Sequence, residues 1–257
     1  MRTSRPIFLT NRARTLRGTH VQLRPISRRD AVELALVPDD GAWELLLRKP
    51  AEPGAAPSAW LDDALRTVKR GTERCWTIRD RVTGQLLGST RFLNVDLANR
   101  RVEIGATWLL PEARGSVANA ESKLLLLDHA FDVLGMQRVH IQADVRNTTS
   151  RAAIEALGAS LEGVLRHHIV LADGTSRDTA VYSIIAPEWP ALRATLVARV
   201  EAKVPSWRAR ESSLVEVEPA ALTALTAQGA NEWINAGVTY SSTTDAIAST
   251  GSASAVA

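Results

Sequence analysis

Ile104-Gly105-Ala106-Thr107-Trp108-Leu109-Leu110-Pro111-Glu112-Ala113-Arg114-Gly115-Ser116-Val117-Ala118-Asn119 leads from a strand, through a loop of small residues, into the longest helical pattern of the chain. Within Arg101–Leu110, Val102, Ile104, Ala106 and Trp108 alternate with Glu103, Gly105 and Thr107, which predicts a strand with one buried face. From Asn119 to Leu134 the apolar period lengthens: Leu124, Leu127, Ala130, Phe131 and Leu134 fall at helical spacing, and Gly135 supplies the stop. A strand that enters a helix through such a loop leaves the first backbone N–H groups of the helix unpaired. The positive end of the helix dipole lies behind them, so an anion can dock there. Arg114 adds a cation at the mouth, and Gly105 in mid-strand suggests a bulge where the strand opens.

Upstream, Val21–Ile26 predicts a first strand, with Ser27 capping a helix that starts near Arg28. A Pro- and Gly-containing stretch from Pro38 to Pro57 leads to a second helix from Ser58 to about Lys69. Strands Cys75–Arg79 and Leu86–Val95 follow, joined through Arg81-Val82-Thr83-Gly84. Downstream come a strand at Arg138–Val145 and a helix from Asn147 to Leu157, stopped by Gly158. Strands Leu161–Val170 and Arg177–Ile185 are linked by Asp173-Gly174, and a last helix runs from Pro187 to about Val200. Up to that last helix the order is β-α-α-β-β-β-α-β-α-β-β, that of an α+β domain with a mixed sheet. No period of about 20–50 residues repeats.

The chain has 257 residues, 45% hydrophobic and 23% charged, so it can build a core. Cys75 is its one cysteine, which excludes a disulfide framework and a multi-cysteine zinc site and fits a reducing, cytoplasmic setting. No apolar run approaches the roughly 18 residues that would cross a bilayer, which argues against a membrane partner. Eight arginines and no acid precede Asp30. Residues 1–15 therefore read as a solvated basic leader, with the composition of an organellar transit segment as the other reading. The middle of the chain is close to neutral, which argues against a nucleic-acid clamp. Residues 201–257 are rich in Ser, Thr, Ala and Gly and predict a disordered tail, with a transient helix over 218–230; Trp207 and Trp233 are its exceptions.

The stretch from Ile104 through Leu127 resembles motif A of the GNAT superfamily of N-acetyltransferases, in the branch that holds the RimJ/RimL-type ribosomal-protein N-terminal acetyltransferases. Arg138 to Ala159, with Asn147, Ser150 and Gly158, resembles motif B of that branch. Glu162-Gly163, Arg166-His167-His168 and Gly174, Arg177-Asp178, Tyr182-Ser183 match it as well. The resemblance covers about Leu16 to Val200. It implies a mixed, mostly antiparallel seven-stranded sheet flanked by helices over residues 16–200, and transfer of an acetyl group from acetyl-CoA to a primary amine, with no metal. It also implies that the pantetheine arm lies along Ala106, Trp108, Leu109 and Leu110. The pyrophosphate would sit on Arg114, Gly115, Ser116, Val117, Ala118 and Asn119, with Asn147 and Ser150 on the cofactor side. Protein N-termini, aminoglycoside-like antibiotics and polyamines all fit as acceptor, and the chain would act as a monomer or homodimer.

Two positions depart from the family pattern. Val117 stands where a second loop glycine is expected; a β-branched residue tolerates positive φ poorly, and its side chain there would hold phosphate off. This supports a rival reading, an acyl-CoA-binding module with weak or no activity. Ile154 stands where many members carry the Tyr that serves as general acid, which leaves Ser150, Tyr182 or water for that task. Glu103 reads either as a general base acting through water or as a surface-strand charge paired with an arginine. His167 and His168 point to opposite faces of one strand, Cys75 reads as a small core residue, and Trp108 as packing beside the cofactor groove.

Overall fold

In the computed structural model, residues 13–37, 57–171 and 173–211 are described. The chain forms β1 (Leu16–Arg17), β2 (Val21–Pro25), α1 (Ala31–Ala35), α2 (Pro57–Arg70), β3 (Arg74–Asp80), β4 (Leu86–Asp96) and β5 (Arg101–Leu109). These are followed by α3 (Val117–Asp128), β6 (Arg138–Asp144), α4 (Thr148–Glu155), β7 (Ser160–Val170), β8 (Ser176–Ile185) and α5 (Trp189–Glu211). The strands make one eight-stranded sheet in the order β1-β2-β3-β4-β5-β6-β8-β7. The expected architecture is therefore present, with one strand more than expected: the two-residue β1, which pairs Leu16 with Leu23.

Consecutive strands joined by short turns pair antiparallel. β5 and β6 are separated by the whole of α3, and that crossover makes them parallel. A continuous core fills the face carrying Val21, Leu23, Trp76, Ile78, Phe92, Val102, Ile104, Val139, Ile141 and Ile184, and it takes in residues of α3, α4 and α5. Leu34, Trp60, Leu61, Ala64 and Cys75 are also buried, apart from that cluster, and belong to α1, α2 and β3. Cys75 is thus the small core residue expected, its thiol pushed up by burial.

Two boundaries differ from expectation. α3 begins at Val117, two residues early, and passes into a π turn over His129–Val133 instead of remaining regular to Leu134. The last helix does not end near Val200. It continues to Glu211 through Pro205, because Leu196, Val200 and Trp207 keep one apolar face on the core; Trp207 is only 5% exposed. So the stretch 201–211 is helix rather than part of a disordered tail. The expectations for the leader up to residue 12, the stretch 38–56 and the tail from 212, Trp233 included, lie outside the described residues. Among the described residues, no helix is long and apolar enough to cross a membrane, and no three His, Cys, Asp or Glu side chains are grouped to hold a metal ion.

Candidate active site

The site begins where two parallel strands part. β5 and β6 pair only at Arg101–Arg138, Val102–Val139 and Glu103–His140. Beyond Glu103, β5 follows β4 alone, and its other backbone edge faces the opening fork. A bulge lies just past the parting: Gly105 is opposite Arg91 and Trp108 opposite Ser89, so three steps on β5 match two on β4. The residue that takes up the extra length is Ala106, at φ 47°, rather than the expected Gly105. Gly105 has a different role. A Cβ there would come within 2.8 Å of Leu93 Cδ1 and 3.1 Å of Glu103 Oε1, so glycine leaves room for the carboxylate.

The bulge is held from the core side. Thr107 Oγ1 is 2.8 Å from Thr90 Oγ1, and Lys123 of α3 donates to Thr107 Oγ1 at 2.6 Å. Lys123 is buried, and burial pulls its ammonium down from the ordinary 10.5 to about 7. Past the bulge, Trp108 is buried edge-on against Trp60, with ring centroids 6.0 Å apart. Its side chain packs into the interior, while Ala106, Leu109 and Leu110 remain half-buried along the fork.

The strand then turns through Pro111–Ala113 into the loop. Arg114 Nε donates to the Leu109 carbonyl at 3.1 Å. Gly115 adopts φ 68°, where glycine is favoured, and a Cβ there would enter open space. Ser116 caps α3: its hydroxyl accepts from the Ala118 N–H at 3.1 Å and donates to the Ala113 carbonyl at 2.6 Å. As at any helix start, the first-turn amides of α3 have no intrahelical acceptor, the condition under which an anion can dock. Asn119 is half-buried at this turn.

Val117 does not behave as the loop pattern suggested. It is not among the residues of positive φ, and it is fully buried in the core cluster with Ala118 beside it. Because α3 starts at Val117 and not at Asn119, this residue is the first of the helix and its side chain turns inward, away from where a phosphate would dock. The reason for expecting weak cofactor binding is thereby removed.

Glu103 is not a surface charge paired with an arginine. It is 7% exposed; its Oε2 accepts from Asn94 Nδ2 at 2.6 Å and lies 3.2 Å from His140 Nε2. The Glu103–His140 couple forms the last rung before the strands part. Sequence reasoning missed His140 and Asn94 because only the register between β5 and β6, and the turn after β4, bring them to Glu103. Lys123 was missed as well, since only the packing of α3 on the sheet brings it to Thr107.

Of the proposed catalytic residues, Glu103 and Tyr182 lie on opposite faces of the sheet. In the sheet, residues directly opposite share a face: Glu103 is opposite His140, and His140 opposite Ser183. Tyr182 is opposite Ile141 and so lies on the other face, where its hydroxyl accepts from Arg151 at 3.1 Å and donates to Glu155 at 2.8 Å. Burial pushes that hydroxyl up, against the pull of Arg151. The side chain of Asn147 caps α4 by accepting from the Ser150 N–H at 2.9 Å, and the Ser150 side chain is half-buried on the first turn. His167 and His168 are both exposed on β7, with His167 at φ 49°.

Comparison with known proteins agrees with this geometry. The Acetyltransferase (GNAT) domain family matches residues 20–160. A Bacillus subtilis (strain 168) protein named ribosomal N-acetyltransferase YdaF is 35% identical over 106 residues, covering 41% of this chain and 57% of that protein. The chain thus matches just over half the length of this curated relative. A crystal structure from T. thermophilus, named as an acetyltransferase, is 34% identical with a TM-score of 0.66, covering 74% of this chain and 98% of that one. Mycobacterium smegmatis RimJ in complex with CoA-disulfide is 25% identical with a TM-score of 0.60, covering 72% of this chain and 91% of that one.

Proposed function

The chain belongs to the GNAT acetyltransferase family, and on that premise we propose that it transfers an acetyl group from acetyl-CoA to a primary amine by direct attack on the thioester. The observation that carries this reading is the fork: β5 leaves β6 at Glu103 and runs, bulged, straight to the Gly115 loop. When bound, acetyl-CoA supplies the activated acyl carbon and a thiolate leaving group. The strand backbone of Ala106–Leu110 lines the pantetheine path, and a strand amide next to the bulge donates to the oxygen on which charge develops. The amides after Gly115, with Arg114 at the mouth, hold the pyrophosphate. Asn147 and Ser150 lie at the start of α4 on the cofactor side. The name of the B. subtilis relative makes ribosomal amines the first acceptors to test, ahead of small amines.

Glu103 removes the proton. An alkyl amine is mostly protonated at neutral pH, and only its free base attacks a thioester, so the site needs an acceptor for that proton. Glu103 stands at the crotch of the fork with its carboxylate fixed by Asn94 and His140, and takes the proton through an ordered water. Incubation with acetyl-CoA and an amine panel, followed by free-thiol release, tests the activity. Glu103→Gln should keep CoA affinity and lose at least about tenfold in turnover, since general-base loss costs roughly 10²–10⁴-fold. Part of that loss should return at high pH, where the amine deprotonates unaided. Wild-type turnover in Glu103→Gln at pH 7 would remove Glu103 from the mechanism.

A further inference from the structure

The last helix carries a cation that its own packing does not call for. Leu196, Val200 and Trp207 form the buried stripe of α5, and Lys203 falls on that stripe, three residues after Val200 and four before Trp207. A helix packed on a core would place an apolar side chain there. Lys203 instead reaches across 88 positions of sequence and donates from Nζ to the Gly115 carbonyl at 2.6 Å. It makes no ion pair among the described residues.

A single bond from a half-exposed lysine to a neutral carbonyl stabilises a fold little, because ordering a long side chain costs rotamer entropy of similar size. The contact has more consequence for charge. An ammonium carries three N–H groups, and the Gly115 carbonyl takes one of them. The other two stay at the residue where the loop turns through φ 68°, directly before the capped start of α3. Arg114 precedes Gly115 in the chain, so two cations flank the turn that leads into the start of α3. Trp207, buried one turn further along α5, fixes the helix and with it the position of Lys203. The family match ends at residue 160, so this contribution comes from a segment outside it.

We propose that Lys203 is a phosphate-binding residue of the cofactor site: α5 closes the loop from outside the matched domain and places an ammonium on the pyrophosphate. This rests on the acetyl-CoA reading above. The test is calorimetric binding of CoA and of 3′-dephospho-CoA to the full chain and to Lys203→Gln and Lys203→Arg. Lys203→Gln should weaken both ligands alike, by about five- to tenfold at low salt, with the difference shrinking at high salt as screening sets in. Lys203→Arg should restore most of the affinity, and in turnover assays Lys203→Gln should raise KM for acetyl-CoA with kcat little changed. Unchanged affinity in a folded Lys203→Gln, or a loss confined to CoA and absent with the dephospho form, overturns the assignment. A wild-type chain that binds neither ligand refutes the acetyl-CoA reading itself, and with it this proposal.

Discussion

Replacing Lys123 by methionine tests how the bulge is supported, and it does so through pH. The ammonium is buried against Thr107 and Thr90, with burial pulling it from 10.5 to about 7. Between those values the unfolded chain holds the proton and the folded chain does not. Stability attributable to this group is therefore complete above about 10.5, falls as the pH drops, and is lowest below about 7. The gap is worth on the order of 5 kcal/mol over its whole range, as an upper bound, or roughly 1.4 kcal/mol per pH unit. Lys123→Met fills similar volume, has no charge and removes this slope. Urea unfolding of both proteins at pH 7 and pH 9 should show the variant's advantage over wild type shrinking by about 2–3 kcal/mol between the two. Some of the advantage is offset at every pH, since Thr107 loses its donor. Parallel pH profiles for the two proteins would refute the reasoning and mean that Lys123 is solvated or paired in the folded chain.

Val117→Gly should leave CoA affinity no better, and should destabilise the fold by about 2–4 kcal/mol, since it strips a buried side chain and places glycine in the first turn of α3; tighter binding by calorimetry would return Val117 to the phosphate site. Trp207→Ala should cost about 3–5 kcal/mol in denaturant unfolding, as for other buried aromatics, whereas a surface tryptophan would cost almost nothing. Tyr182→Phe removes a hydroxyl bonded to Arg151 and Glu155 and should lower stability by about 1–2 kcal/mol while turnover falls less than about tenfold; a drop of a hundredfold or more would make Tyr182 the general acid after all.

What the sequence conveyed, and what it did not, divides along one physical line. Strand order was legible because hairpin turns, alternation and helical spacing are local: Asp173-Gly174 and the run Val102–Trp108 state their structure within a few residues. The direction in which a side chain points at the site is not local. Gly105 marked the right turn of chain for a bulge, yet Ala106 carries the positive φ, because pairing with β4 and the grip of Lys123 on Thr107 decide which residue yields. Glu103 stayed open between a base and a surface charge because nothing near it in sequence shows that His140 becomes its neighbour; that follows from the register of two strands joined by a helix.

Val117 and Trp207 show how small a local misjudgement suffices. Starting α3 at Asn119 leaves Val117 in the loop, facing the phosphate. Starting it at Val117 rotates the same side chain into the core, and a supposed defect in the cofactor site becomes a packing residue. At the other end, a Ser-, Thr-, Ala- and Gly-rich composition argued for a tail, but composition averages over residues that a helix separates by face. Leu196, Val200 and Trp207 need only one face, and burying it outweighs a proline near the end of the helix. Lys203 then has a fixed place. A lysine in a disordered tail would be a diffuse charge, whereas one held between Val200 and Trp207 on a packed helix acts at a single point on the loop, and that difference is what the calorimetry of Lys203→Gln measures.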